Sequence, residues 1–168
     1  MKLSSFEAIV RALNEARVHF IVVGGVAVNA HGYLRFTKDV DLVVRLVAAD
    51  ITGTFRALAS LGYQPIVPIN AEQFADPVQR EIWRREKGML VLKFWSDIHL
   101  ETPVDLFVYE PFDFETEYAR AVVGDGPADP PARFLALPAL IAMKESAGRG
   151  SDRIDAEKLR IIAGLEKP

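Results

Sequence analysis

Apolar positions along this chain switch repeatedly between helical and strand spacing. Phe6, Ile9, Val10 and Leu13 recur at helical spacing, and Ser4 with Glu7 three residues on forms a capping-box pattern, predicting a helix from about Ser5 to Ala16. Phe20–Val23 is a compact β-branched and aromatic strand cut off by Gly24 and Gly25. A short helix over Val26–His31, stopped by Gly32, leads to a second strand over Val40–Val47. Asp50 reads as the N-cap of a helix running through Leu61, with Phe55, Leu58 and Ala59 on its apolar face and Gly62 as its stop. Tyr63–Val67 reads as an edge strand, because Pro65 cannot donate to a ladder. Asn70–Lys87 is a charge-rich, partly helical excursion, followed by strands over Met89–Trp95 and Val104–Tyr109 and a helix over Phe112–Val123. A crossing rich in proline and glycine, Gly124–Phe134, leads to helices over Pro138–Ala147 and Asp152–Leu165, with Pro138 suited to a first helical turn. Strands interleaved with helices, closed by two helices, predict α+β or α/β architecture.

Composition narrows this. At 168 residues, half of them hydrophobic, the chain is long enough for one domain with a sizeable core. A formal net charge of −3 gives no whole-chain basic field of the kind that marks nucleic-acid binders. With no cysteine, disulfides and thiolate metal sites are excluded. Glu7, Arg11 and Glu15 interrupt the N-terminal segment, so it lacks the apolar region of a signal peptide, and no apolar run is long enough to span a bilayer. The expectation is a soluble cytoplasmic protein without a membrane partner.

The candidate chemistry lies in Phe20–Val44. Adjacent glycines at a strand end let the backbone turn sharply and approach a ligand, since no Cβ intervenes. Asp39 and Asp41 flank Val40, so in a strand both carboxylates point to one face. Two such carboxylates repel, and a hard divalent cation with oxygen ligands relieves the conflict; Mg2+ characteristically arrives with substrate phosphates. A glycine turn followed by this pair points to nucleotide chemistry. Asp105 interrupts the apolar strand VDLFVY and reads either as a third carboxylate of that site or as a side chain on a solvated strand face. Arg80, Arg84, Arg85 and Lys87 around Trp83 suggest a basic-aromatic RNA contact, but Glu81 and Glu86 dilute the charge and favour a solvated helix face. His31, beside Gly32, reads as a hydrogen-bonded structural residue.

Gly24–Gly25 followed by Arg35, Thr37 and Asp39–Val40–Asp41 resembles the signature of the nucleotidyltransferase superfamily built on the DNA polymerase β-type core. The string VVGGVAVNAHGYLRFTKDVDL is most similar to the minimal bacterial branch that includes AbiEii-like toxins of toxin–antitoxin and phage-defence systems. Ala142–Asp155 resembles a family segment in which a helix lysine is followed by an arginine and two aspartates, here Lys144, Arg149, Asp152 and Asp155. The resemblance covers Phe20–Val44, Val104–Phe107 and Ala142–Asp155, and none of Ala48–Lys93.

This resemblance implies an α+β fold with a small mixed twisted sheet of about four to five strands, flanked by helices. It implies a single nucleotidyltransferase domain over 1–168, its core at about 1–123 and a C-terminal helical part at about 134–166. The implied activity is transfer of a nucleoside monophosphate from an NTP to a hydroxyl acceptor. Asp39, Asp41 and Asp105 are implied as metal ligands and catalytic carboxylates for two Mg2+ ions. Gly24, Gly25, Arg35, Thr37, Lys144 and Arg149 are implied around the nucleotide and its phosphates. For Arg35 and Thr37 structural roles fit equally, with Thr37 hydrogen-bonding the loop that positions Asp39. Asp152 reads as a cap of the last helix that also orients Lys144 or Arg149, and Asp155 reads equally well as a helix-surface residue paired with Arg153 or Lys158. Many members carry Gly-Ser where this chain has Gly24–Gly25, so backbone N–H groups must do more of the phosphate binding. The branch implies RNA, such as a tRNA end, or a protein hydroxyl as acceptor, with a cognate toxin or antitoxin partner. The rivals are a small-molecule nucleotidyltransferase of the lincosamide type and a non-catalytic member that only binds nucleotide or a partner.

Overall fold

The computed structural model describes residues 1–124 and 131–165, so most of the Gly124–Phe134 crossing lies outside the described residues. The first helix, α1 (Leu3–Glu15), buries Phe6, Ile9, Val10 and Leu13, as their spacing predicts. It starts earlier than expected and without the Ser4–Glu7 capping box: Lys2 is the N-cap, with no side-chain cap hydrogen bond. Tertiary contacts set that start, because the Lys2 N–H donates to Thr102 Oγ1 at 3.0 Å and the terminal ammonium donates to the Thr37 carbonyl at 3.1 Å.

The strands β1 (Phe20–Val23) and β2 (Val40–Val44) are joined through the seven-residue helix α2 (Gly24–Ala30) and an extended segment, 31–39. Strand β2 ends three residues before its predicted end. Arg45 leaves the strand and donates through Nε to Asp50 Oδ2 at 2.7 Å. Asp50 is not the cap of α3 (Ala48–Ser60) but a buried residue of its first turn, shared by Arg45 and His19. Strands β3 (Tyr63–Pro65), β4 (Val91–Ser96) and β5 (Val104–Phe107) follow the predicted order with shifted ends. Between β3 and β4 the excursion resolves into α4 (Ala71–Ala75) and α5 (Pro77–Lys87). Both carry caps written in the sequence: Asn70 with Gln73 forms a reciprocal capping box, and Asp76 accepts from the Val78 N–H ahead of an N-terminal proline.

Helix α6 (Phe114–Arg120) is capped by Asp113 and ends early, because Val122–Val123 forms β6 against β7 (Arg133–Phe134). Two-residue strands carry no periodicity to read. The sheet therefore has seven strands among the described residues, in the order β3-β4-β5-β2-β1-β7-β6, mixing antiparallel and parallel pairs in the expected α+β class. The last helices, α7 (Leu137–Ala147) and α8 (Gly150–Ile162), pack on each other, and α7 also touches α2. None of the described helices is long and apolar enough to cross a membrane.

Register decides what the sheet presents. Leu42, Leu106 and Leu92 sit side by side across β2, β5 and β4 and are fully buried on one face. The neighbouring row is Asp41, Asp105 and Lys93, on the opposite face.

Candidate active site

Asp41 pairs with Asp105 across the parallel β2–β5 ladder, so the two carboxylates emerge side by side. Val23, the last residue of β1, pairs with Asp41 from the other side. The chain then turns at Gly24, in the left-handed region at φ +64°, directly against the Asp41 carboxylate. A Cβ on Gly24 would collide with that carboxylate, and one on Gly25 would collide with Thr37. Both glycines are therefore required by close approach, and Gly24 by conformation as well.

A cavity of about 310 Å³ opens at this corner of the sheet. It is lined by Gly24, Gly25, Arg35, Thr37, Asp39, Asp41, Asp105, Lys144 and Arg149, so all nine residues singled out from the sequence meet in one place. They come from β1–α2, the 31–39 segment, β2, β5 and the α7–α8 corner, with Gly24 and Arg149 lying 125 residues apart in the chain.

The electrostatics are those of crowded carboxylates. Burial, with Asp105 and then Asp39 adding repulsion against the pull of Lys144, pushes the Asp41 carboxyl up to about 6. Burial also raises Asp105, although Lys93 opposes it. Asp105 Oδ1 is buried with no hydrogen-bond partner, and the Lys93 Nζ lies 3.3 Å away without hydrogen-bond geometry. The same ammonium lies 3.8 Å from Asp39 Oδ2. Burial works against the Lys93 charge, but Asp105, Asp39 and Asp41 outweigh it and hold the ammonium above its ordinary range. These oxygen donors, one buried without a hydrogen bond and one driven toward protonation, fit a hard divalent cation such as Mg2+. Among the described residues no three acidic or histidine side chains are already gathered as a ligand cluster.

A second charged layer holds the walls together. Lys144 is buried, its Nζ 2.8 Å from Asp152 Oδ1 and 2.9 Å from Asp155 Oδ2. Asp155 is only 1% exposed, not a surface residue paired with Arg153 or Lys158. Its two oxygens instead accept from Arg35 Nε and Nη2, each at 2.7 Å, tying the 31–39 segment to α8. Asp152 does not cap α8, whose N-cap is Arg149; it sits in the first turn and accepts from Lys144 and from Arg149 Nε at 2.5 Å. These hydrogen bonds overcome burial and hold its carboxyl below the ordinary range. The Arg149 side chain, though tied to Asp152, stays 76% exposed where it lines the cavity. Thr37 Oγ1 donates to the Asp39 carbonyl at 3.4 Å, and the His31 Nε2 lies 2.8 Å from the Leu135 carbonyl, so both serve as structural ties.

The cavity is also lined by Phe36, Phe107 and Met143, which no sequence pattern singled out, while Lys93 lies outside its lining and pairs with Asp105 and Asp39. Lys93 is the one charge in MLVLKFW, the same anomaly that drew attention to Asp105. Within the basic-aromatic cluster Trp83 and Arg80 are buried, Arg84 and Arg85 pair with Glu81, and none of these residues lines the cavity.

No protein-family model and no curated protein matches the chain. Solved structures do, over nearly its whole length. The lincosamide antibiotic adenylyltransferase LnuA, bound to lincomycin, matches with a TM-score of 0.60 at 13% identity, over 96% of this chain and 98% of that one. The antibiotic-resistance factor ANT(2'')-Ia matches its solution structure with a TM-score of 0.58 at 13% identity, over 95% of this chain and 82% of that one. Its complex with adenylyl-2''-tobramycin matches with a TM-score of 0.54 at 15% identity, over 95% and 87% of the two chains. At such identities the likeness establishes the fold alone: this chain shares its architecture with these structures.

Proposed function

We propose that this protein is a Mg2+-dependent nucleotidyltransferase that moves a nucleoside monophosphate from an NTP to a hydroxyl of a small molecule. The observation that carries the reading is the Asp41–Asp105 pair in register on neighbouring parallel strands, with Asp39 and the glycine turn in the same cavity. Asp39 and Asp41 would hold the metal, two ions in the full site, with Asp105 completing the one nearest the acceptor. Metal bound there supplies charge stabilisation for the attacking and leaving oxygens of an in-line displacement.

The chain's own residues supply the rest. Gly24 and Gly25 leave room for the triphosphate to lie against the backbone. Lys144, held by Asp152 and Asp155, and Arg149, with its exposed guanidinium, face the phosphates as positive charges. Arg35 and Thr37 keep the segment carrying Asp39 in place. Asp105 takes the acceptor proton as the new bond from acceptor oxygen to α-phosphorus forms. The bond from α-phosphorus to the bridging oxygen breaks, and pyrophosphate leaves.

The acceptor class rests on the cavity. Its volume of about 310 Å³ is at the small-molecule scale, and its walls mix carboxylates with Phe36, Phe107 and Met143. The exposed arginines of α5 lie elsewhere, the net charge is −3, and the neighbouring structures hold lincomycin and adenylyl-2''-tobramycin. Nothing in this geometry favours an RNA or protein hydroxyl, or a toxin–antitoxin partner.

The test incubates the protein with each α-labelled NTP, Mg2+, and in turn lincomycin, tobramycin and total cellular RNA. An Asp39→Ala, Asp41→Ala double variant serves as control. Label on a small molecule with wild type alone supports the proposal. Label on RNA or on protein would move the acceptor class, and NTP binding with no product under any condition would refute the transfer reaction.

A further inference from the structure

One cation paired with the site's carboxylates has no part in the proposed transfer. Lys93 lies in β4 directly opposite Asp105, and its Nζ sits within ion-pair distance of both Asp105 (3.3 Å) and Asp39 (3.8 Å). It is the nearest positive charge to the pair of carboxylates that flank Asp41. A divalent ion coordinated directly by Asp39 and Asp105 sits at about 2.0–2.1 Å from each oxygen. An ammonium cannot keep its present contacts with those oxygens while such an ion does so, because the two cations would share the same donors and repel. Lys93 has room to leave: its side chain is 37% exposed and carried on a flexible four-carbon stem.

We propose that Lys93 is a positioning residue that bridges Asp39 and Asp105 in the metal-free protein and must be displaced when a divalent ion binds there. The ammonium keeps the two carboxylates from splaying apart, at a cost in affinity for the bare ion. Displaced from them, it leaves their oxygens to the ion. This rests on the reading of Asp39, Asp41 and Asp105 as metal ligands, and the two can fail separately.

The experiment measures Mn2+ binding to the full chain without nucleotide, from the free-ion electron paramagnetic resonance signal, in wild type, Lys93→Gln and Lys93→Arg. Removing the competing charge is expected to tighten Mn2+ by about tenfold, or about 1.4 kcal/mol. The arginine variant, which keeps the charge, is expected not to tighten it. Measurable Mn2+ binding by wild type with equal or weaker binding by Lys93→Gln would overturn the role of Lys93 alone, as would tightening by Lys93→Arg. Absence of Mn2+ binding by both wild type and Lys93→Gln would overturn the metal site and this proposal with it. Because the glutamine variant loses a counter-ion, its melting temperature is read with and without Mn2+. Destabilisation repaired by the ion supports the proposal; destabilisation that saturating Mn2+ leaves in place would show a merely structural lysine.

Discussion

Replacing Asp155 by Asn keeps the volume of the side chain and removes one charge, so no cavity term enters. The carboxylate is 1% exposed and holds three contacts at 2.9 Å or less, two from Arg35 and one from Lys144. Breaking a buried ion pair at one partner costs about 3–5 kcal/mol, because the other charge stays buried and unmatched. Here Lys144 keeps Asp152 at 2.8 Å, and Arg35, at 28% exposure, regains some water, which places Asp155→Asn at about 3 kcal/mol, the lower end of that range. Against a total stability of about 5–15 kcal/mol this is a large share. In urea, with a slope of about 1–3 kcal/mol per molar, the midpoint should fall by about 1–3 M. The melting temperature should fall by about 6–12 °C. Arg35 anchors the segment bearing Thr37 and Asp39, so NTP affinity should fall in parallel in the folded variant. Glu81→Gln, which breaks exposed pairs with Arg84 and Arg85, should scarcely move the midpoint and serves as the comparison. A loss below about 1 kcal/mol for Asp155→Asn would show that desolvation cancels the attraction and that Arg35 is not the anchor.

Gly24→Ala combines a left-handed backbone with a methyl aimed at the Asp41 carboxylate, so it should lose at least about 1–2 kcal/mol in urea and abolish Mn2+ binding. Full metal affinity in that variant would refute the close packing of turn and carboxylate. Asp41, raised from 3.8 to about 6, contributes stability that is fully present below pH 3.8 and lost as pH rises through about 6. In EDTA, Asp41→Asn should therefore be more stable than wild type at pH 8, by up to about 3 kcal/mol, with little difference near pH 4. A less stable Asp41→Asn at pH 8 would refute the crowding of carboxylates. Asp152, held low, contributes in the opposite sense, losing its stabilisation only as pH falls below the ordinary carboxylate range, outside that window.

Local signals located most of the longer elements and singled out Gly24, Gly25, Asp39, Asp41 and Asp105, while Arg35, Thr37, Lys144 and Arg149 rested on the family resemblance. Strand period put Asp39 and Asp41 on one face, the glycines marked the turn, and a charge inside VDLFVY marked Asp105. The capping signals of Asn70–Gln73 and Asp76–Pro77 were equally local, and reading them would have divided the excursion into its two helices. Other features depended on partners far away in the chain. Lys2 replaced Ser4 as the end of α1 because Thr102 lies against it; Asp50 became a buried ion-pair hub because Arg45 and His19 converge on it. Asp155 looked like a surface residue until α8 packed its carboxylate onto Arg35, 120 residues earlier. Lys93 gained its meaning from strand register alone, since a shift of one residue would have turned it away from Asp105. Spacing along a chain states which side chains share a face, because period follows from backbone geometry. Which charges meet across that face, and how far burial shifts them, depends on long-range pairing, and that is settled by the packing of the whole fold.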